Sequence, residues 1–288
     1  MRDVWRSASN GLVVPLSKIQ GDILRLLASQ RDPESYVAGS TPLNRNTSRF
    51  STDIDIFHDR EERVKEAAEN DSAILQHNGY SLQWQRREKA IQTVVASRDG
   101  CGTKLEWVAD SDYRFFPTVR DEIFGYTLHP VDMAMNKAHA AAGRRELRDI
   151  VDLVEVHERI LPLSAVIWAA VDKMPGFTPE GMIAEIRRNS RYSKLDWEEL
   201  ITEQFLDPAV VHGKLRAALD EAEAFVLRMP TDKIGLLFLD QDGRAVQPDP
   251  DRLDQYQTHA GQRRGHWPSS SEISSAMLEW YQQHPEKR

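Results

Sequence analysis

The chain has 288 residues, 40% of them hydrophobic and including 7 Trp, which supports a well-buried core and two domains and excludes a disordered chain. No apolar run approaches the roughly 20 residues of a membrane-spanning helix, the N-terminal stretch reads as no secretory signal, and a single cysteine, Cys101, excludes a disulfide framework or a cysteine zinc site. A formal net charge of −8 excludes a general nucleic-acid coat protein, although one local basic face could still bind nucleic acid.

From Leu16 to Leu27 the apolar residues Leu16, Ile19, Ile23, Leu26 and Leu27 recur at helical spacing. Ser35 to Ala38 reads as a short buried strand ending at Gly39-Ser40, and the polar stretch TPLNRNTSRF reads as turns. A second strand follows in STDIDIF, where Ile54 and Ile56 alternate with Asp53 and Asp55. A charged helix is expected over 60–75, then two β-rich stretches, YSLQWQR and AIQTVVAS, and after a glycine turn a third, KLEWVAD. Beyond Gly125 the spacing predicts helices over 131–142, 145–160, 164–173, 179–190 and 208–229. A small hairpin is expected around Asp242-Gly243. An irregular tail over 247–271 and a final amphipathic helix through Ile273, Met277 and Trp280 or Tyr281 close the chain. The fold class expected is α/β (α+β): a mixed sheet first, then a mainly helical half.

Asp53-Ile54-Asp55 carries the chemical expectation. Period-2 alternation puts the two carboxylates on one face of the strand and the two isoleucines on the other. Such a pair can share divalent cations, which stabilise the attacking and leaving oxygens of an in-line phosphoryl displacement. The chain also contains Asp110-Ser111-Asp112, Asp240-Gln241-Asp242 and Asp249-Pro250-Asp251, read as turns. What distinguishes Asp53 and Asp55 is a setting of β-branched residues downstream of Gly39-Ser40. Glycine there lets the backbone approach a phosphate, and Ser40 can donate to it. Glu106, flanked by Leu105 and Trp107, points to the opposite face from both and is the candidate third carboxylate, able also to accept a proton from an attacking hydroxyl.

Gly-Ser, a loop, Asp-x-Asp and a later acidic residue on a strand together resemble the polymerase-β-like nucleotidyltransferase superfamily. Within it the chain is most similar to the AbiEii/AbiGii toxin family, which includes the MenT toxins. Gly39, Ser40, Thr41 and Leu43 match that family's glycine turn, and Arg49, Ser51, Asp53 and Asp55 match its Arg-x-Ser-x-Asp-x-Asp strand. Lys137 followed by Arg148, Asp149, Asp152 and Leu153 matches its downstream helices. The resemblance spans 16–193; the family has aspartate more often where this chain has Glu106. It implies a nucleotidyltransferase domain over 1–125 and a helical domain over 126–288 that completes the site. It also implies two Mg2+ ions (or Mn2+) on Asp53, Asp55 and Glu106, with catalytic roles for Lys137 and Asp152. Triphosphate binding would fall to Gly39, Ser40, Thr41, Arg49, Ser51, Lys137, Arg144 and Arg148. The expected partners are a nucleoside triphosphate, a tRNA or other RNA acceptor and a cognate antitoxin, in the cytoplasm and away from membranes.

Along one unbroken helix Lys137 and Asp152 would stand about 22 Å apart, at about 1.5 Å per residue. A break is therefore expected at Ala142-Gly143 if both serve one ligand. Asp149 is expected to hold Arg148 or Arg145. His129-Pro130 and Asp132 are expected to shape the helix start, and Phe115 and Phe116 to pack. An RNA acceptor would need a basic stripe, with Arg86, Arg87, Lys89, Arg144 and Arg145 as candidates. The competing readings are a non-catalytic interaction protein of the same fold and a transferase acting on a small-molecule acceptor.

Overall fold

The computed structural model describes residues 16–268, apart from 45, 46, 48, 175 and 203. The C-terminal helix expected through Ile273 and Met277 lies outside the described residues.

Helix α1 (Lys18–Leu27) starts at a capping box in which Ser17 and Gln20 satisfy each other's backbone N–H, and it buries Ile19, Ile23, Leu24 and Leu27. Strand β1 (Ser35–Ala38) is buried throughout and runs through Gly39 into a single helical turn, α2 (Ser40–Leu43). That turn sits inside the stretch expected to be turns alone. Strand β2 (Asp53–His58) shows the expected alternation, with Ile54, Ile56 and His58 buried and the residues between them part-exposed. Helix α3 (Glu61–His77) and strands β3 (Ser81–Arg87), β4 (Ile91–Arg98) and β5 (Cys101–Ala109) follow, then three short strands, β6 (Tyr113–Arg114), β7 (Val119–Asp121) and β8 (Gly125–Thr127).

Seven strands form one mixed sheet in the order β3-β4-β5-β2-β1-β8-β7. The β2–β5 and β1–β8 pairs are parallel and the others antiparallel. The sheet therefore continues past KLEWVAD, the last stretch the sequence marked as β-rich, through β7 and β8. On one face Ile54, Ile56, Leu105 and Trp107 pack with α1 and α3 through Ile23, Val64, Ala68 and Leu75. Because side chains alternate, the opposite face at the same positions carries Asp53, Asp55, Lys104 and Glu106.

The second half is helical: α4 (Pro130–Gly143), α5 (Leu147–Arg159), α6 (Leu163–Ala170), α7 (Pro179–Asn189), α8 (Lys194–Glu199) and α9 (Pro208–Arg228). Its core centres on Trp168, Met135, Ile150, Leu153 and Ile186 and reaches back to Tyr36, Phe115 and Phe116. The two halves thus share apolar packing beside β1. Phe115 and Phe116 are buried in that core, and Asp132 accepts both of their backbone N–H groups, at 2.7 and 2.9 Å. Asp132 so ties the start of α4 to the segment that follows β6.

The hairpin turning at Asp242-Gly243 appears as β9 (Leu237–Leu239) and β10 (Ala245–Val246). The tail after it is more ordered than its composition suggested: β11 (Gln257–His259) pairs with β9, and β12 (Gln262–Arg263) pairs with β6. Strands of two or three residues leave no periodicity to read, and only their partners define them. Among the described residues no helix is long and apolar enough to cross a membrane.

Candidate active site

Parallel pairing of β2 with β5 sets Asp53 beside Lys104 and Asp55 beside Glu106. The three carboxylates therefore share one face at adjoining register positions. Lys104 lies among them, its Nζ 3.2 Å from Asp53 and 3.3 Å from Glu106. Burial, together with the charges of Glu106 and Asp53, pushes the Asp55 carboxyl up to about 6.

Gly39 closes one end of this face. Its φ of +75° is left-handed backbone, and a Cβ built on it would come within 2.5 Å of the Asp55 carboxylate. Glycine is thus required twice at one position, by conformation and by close approach. Thr41 is buried behind the turn, where its hydroxyl lies 2.7 Å from the Asp53 carbonyl and 2.9 Å from Ser51 Oγ. It fastens the glycine turn to the acidic strand.

The facing wall comes from α4 and α5. The expected break is there: α4 ends at Gly143 and α5 begins at Leu147. Across it, Lys137 Nζ stands 2.9 Å from both Asp149 and Asp152 and donates to Ser40 Oγ at 3.2 Å. Three acceptors occupy the three ammonium hydrogens. Asp152 is fully buried and is held by a two-pronged interaction with Arg49, at 2.6 and 2.8 Å, together with Asn44 Nδ2 at 3.1 Å and Ser40 Oγ at 3.0 Å. Despite its burial, Lys137 and Arg49 hold the Asp152 carboxyl well below the usual carboxylate range. Asp149 pairs with Lys137 and Arg144, rather than with Arg148 or Arg145 as the sequence suggested. The turn at Gly143 swings Arg144 back over α5 and leaves its neighbour Arg145 facing elsewhere.

Between sheet and helices lies a cavity of about 590 Å3 lined by Gly39, Ser40, Arg49, Ser51, Asp53, Asp55, Glu106, Lys137, Arg144 and Arg148 among others. Of the residues given catalytic or triphosphate-binding roles from sequence, Thr41 and Asp152 do not line it; they sit behind its wall. Arg148 is the most loosely held cation there, 3.8 Å from both Asp53 and Glu146. The sequence did not point to Lys104, Asn136, His139 or Lys173, which also line the cavity. Lys173 donates to Asn136 Oδ1 at 2.6 Å, and burial beside Lys173 pushes His139 down to about 4, so it is neutral at pH 7. Lys104 was readable: it lies two residues before Glu106 on one strand and so shares its face. His129 caps α4 by accepting the Val131 N–H at 3.3 Å, as expected for a residue that shapes the helix start.

Among the described residues no three His, Cys, Asp or Glu side chains are drawn into a ready cage for an ion. The Lys104 ammonium stands between two of the three carboxylates and supplies positive charge there. The donor set nevertheless suits a hard cation: three carboxylates on one face, one of them with its pKa raised by burial and by its neighbours' charge, beside a glycine turn.

No family model matches the chain, and no curated protein matches it. Among solved structures it is similar to MenT4, a nucleotidyltransferase toxin from Mycobacterium tuberculosis H37Rv, at 15% identity and a TM-score of 0.48, covering 75% of this chain and 84% of that one. It is also similar to Cid1, described for RNA terminal uridylyl transferase activity, at 12% identity and a TM-score of 0.28, covering 92% of this chain and 85% of Cid1. The Cid1 poly(U) polymerase with MgGTP bound gives 12% identity and a TM-score of 0.26, covering 92% and 86%.

Proposed function

We propose that this chain is a metal-dependent nucleotidyltransferase that moves a nucleoside monophosphate from a nucleoside triphosphate onto an RNA acceptor. The observation that carries the reading is the division of one cavity: Asp53, Asp55 and Glu106 on the sheet wall face Arg144 and Arg148 on the helix wall. A triphosphate with its cations needs both signs of charge in one place. Asp53, Asp55 and Glu106 are the residues that would hold Mg2+ or Mn2+, two ions on the family resemblance. Bound there, the metal would neutralise developing charge on the attacking and leaving oxygens of the transfer.

The protein's own groups divide the remaining work. Gly39 lets the backbone approach the phosphates, and Ser40, held between Lys137 and Asp152, presents its hydroxyl at the same turn. Arg148 and Arg144 neutralise phosphate charge. Lys137, Arg49 and Asp152 act as positioning residues that fix the turn against the helices. Glu106 can accept the proton released by the attacking hydroxyl. Asn136, His139 and Lys173 border the part of the cavity left for the base. On this reading residues 1–125 supply the acidic face and 126–288 the cationic wall. The motif order further supports a toxin of a bacterial toxin–antitoxin pair acting on tRNA in the cytoplasm, with a cognate antitoxin as partner.

The test is incubation with α-labelled triphosphates, Mg2+ and total RNA. Label should enter RNA, and Asp53→Ala or Asp55→Ala should lower the rate by about 1000-fold or more, the size expected when charge stabilisation of the transition state is removed. Label in small molecules alone would replace the RNA acceptor with a small one. No label in any fraction would leave a non-catalytic interaction protein.

A further inference from the structure

The helical half carries a second cleft, of about 620 Å3, between the C-terminal end of α7 and the face of α9. Its charge is what sets it apart on a chain of net charge −8. Arg187, Arg191 and Arg216 line it together with Tyr192 and His212, and Asp220 is the single carboxylate among its lining residues. Asp220 is already committed: with Glu223 it pairs to Arg187, at 2.7 and 2.8 Å. Among the described residues neither Arg191 nor Arg216 has a carboxylate partner, and both are exposed. Two uncompensated guanidinium groups thus share one concave surface. Tyr192 adds a hydroxyl that is buried with no hydrogen-bond partner.

This cleft adjoins the candidate active site through two consecutive residues. Arg144 lines the first cavity. Arg145, next in the chain, donates to the Arg191 carbonyl at 2.8 Å, and its guanidinium lies 4.9 Å from the centre of the Tyr192 ring. Arg145 itself is paired with Asp196 at 3.3 Å, so the uncompensated positive charge beyond it is that of Arg191 and Arg216. Among the described residues the other basic cluster has no two cations free of carboxylate partners. Arg86 is paired with Glu88, Lys89 with Glu61, and Arg87 lies over Trp84.

We propose that the cleft of Arg191, Arg216 and Tyr192 is a phosphate-binding site for the backbone of the acceptor RNA. The inference rests on the RNA-acceptor reading and extends it to a place on the molecule. Arginine suits the task because its planar fork donates two hydrogen bonds to one phosphate. An acidic protein segment would meet the same charges. RNA is favoured because consecutive residues border the two places, Arg144 on the transfer cavity and Arg145 against Arg191 and Tyr192 of the cleft, and a polynucleotide acceptor has to leave that cavity somewhere.

The test uses the full chain and a fluorescein-labelled RNA hairpin with a single-stranded 3′ tail, with anisotropy read across a KCl series. The double variant Arg191→Glu/Arg216→Glu should bind about 10-fold or more weakly near physiological salt. Its slope of log K against log[salt] should fall by about 2, one for each phosphate that the variant no longer neutralises. Arg188→Glu, an exposed change outside the cleft, should bind as wild type does. Unchanged affinity and slope in the double variant overturn the proposal, and so does polyglutamate binding to the cleft as tightly as RNA. The two readings fail separately. Label transfer into RNA with no binding defect in the double variant sinks the cleft alone. A cleft-dependent RNA affinity in a protein that transfers no label upholds the cleft and sinks the transferase.

Discussion

Two groups of acidic residues meet the same glycine turn, and they are balanced in opposite ways. Behind the helix wall, Asp149 and Asp152 are buried against three cations, Arg49, Lys137 and Arg144, at distances of 2.6 to 2.9 Å. Their carboxyls are held below the ordinary range. On the sheet wall, Asp53, Asp55 and Glu106 have one close cation, Lys104, and a more distant one, Arg148 at 3.8 Å. There Asp55 is pushed up to about 6. The first group has all the positive charge it can use and belongs to the framework. The second is short of positive charge, which is the condition of a site that binds cations.

Breaking the balanced group should cost most. Asp152→Ala leaves Arg49 and Lys137 facing each other without their shared counter-ion, and destabilisation of about 3–5 kcal/mol is expected from chemical denaturation. A loss below about 1 kcal/mol would show that water or neighbouring groups already screen the cluster.

Gly39→Ala comes next, because it probes where the two groups meet. A methyl there needs left-handed backbone and meets the Asp55 carboxylate at 2.5 Å. A loss of about 2 kcal/mol is expected, with a fall in label transfer larger than that loss of stability explains. Equal transfer by the variant would detach the turn from the site.

The smallest effect has the opposite sign. Folded Asp55 keeps its proton up to about pH 6, whereas an unfolded aspartate releases it near about pH 4. Between those values the folded chain binds more protons, so this residue's contribution to stability falls as pH rises through that window. Above it, ionised Asp55 is a fixed penalty that Asp55→Asn removes. The variant should be more stable than wild type at pH 7.5 by about 1–2 kcal/mol, and the difference should vanish near about pH 4. A variant less stable than wild type at both pH values would place Asp55 in the framework with Asp152.

The acidic face was legible in the sequence because a strand's period of two is local: Ile54 and Ile56 assign Asp53 and Asp55 to the other face without knowledge of any neighbour. The break at Gly143 was legible for a geometric reason, since Lys137 and Asp152 could not otherwise meet. The framework behind them was not. Arg49 and Asp152 are 103 residues apart in the chain, and Asn44 sits in a polar loop with nothing local to mark it as their neighbour. Asp149 was assigned the wrong arginines because Arg144, Arg145 and Arg148 are close in sequence, and only the direction of the turn separates them. The same turn puts Arg144 on the transfer cavity and Arg145 against Arg191 and Tyr192. Helix α8 and strands β11 and β12 are too short to carry a period.

Manganese binding followed by electron paramagnetic resonance at pH 7.5 tests the contrast between the two acidic groups most directly. Wild type should immobilise Mn2+, Asp53→Asn and Asp55→Asn should leave it free in solution, and Asp149→Asn, provided it folds, should bind as wild type does. Free Mn2+ with the wild-type protein, or undiminished binding by Asp55→Asn, would contradict the account.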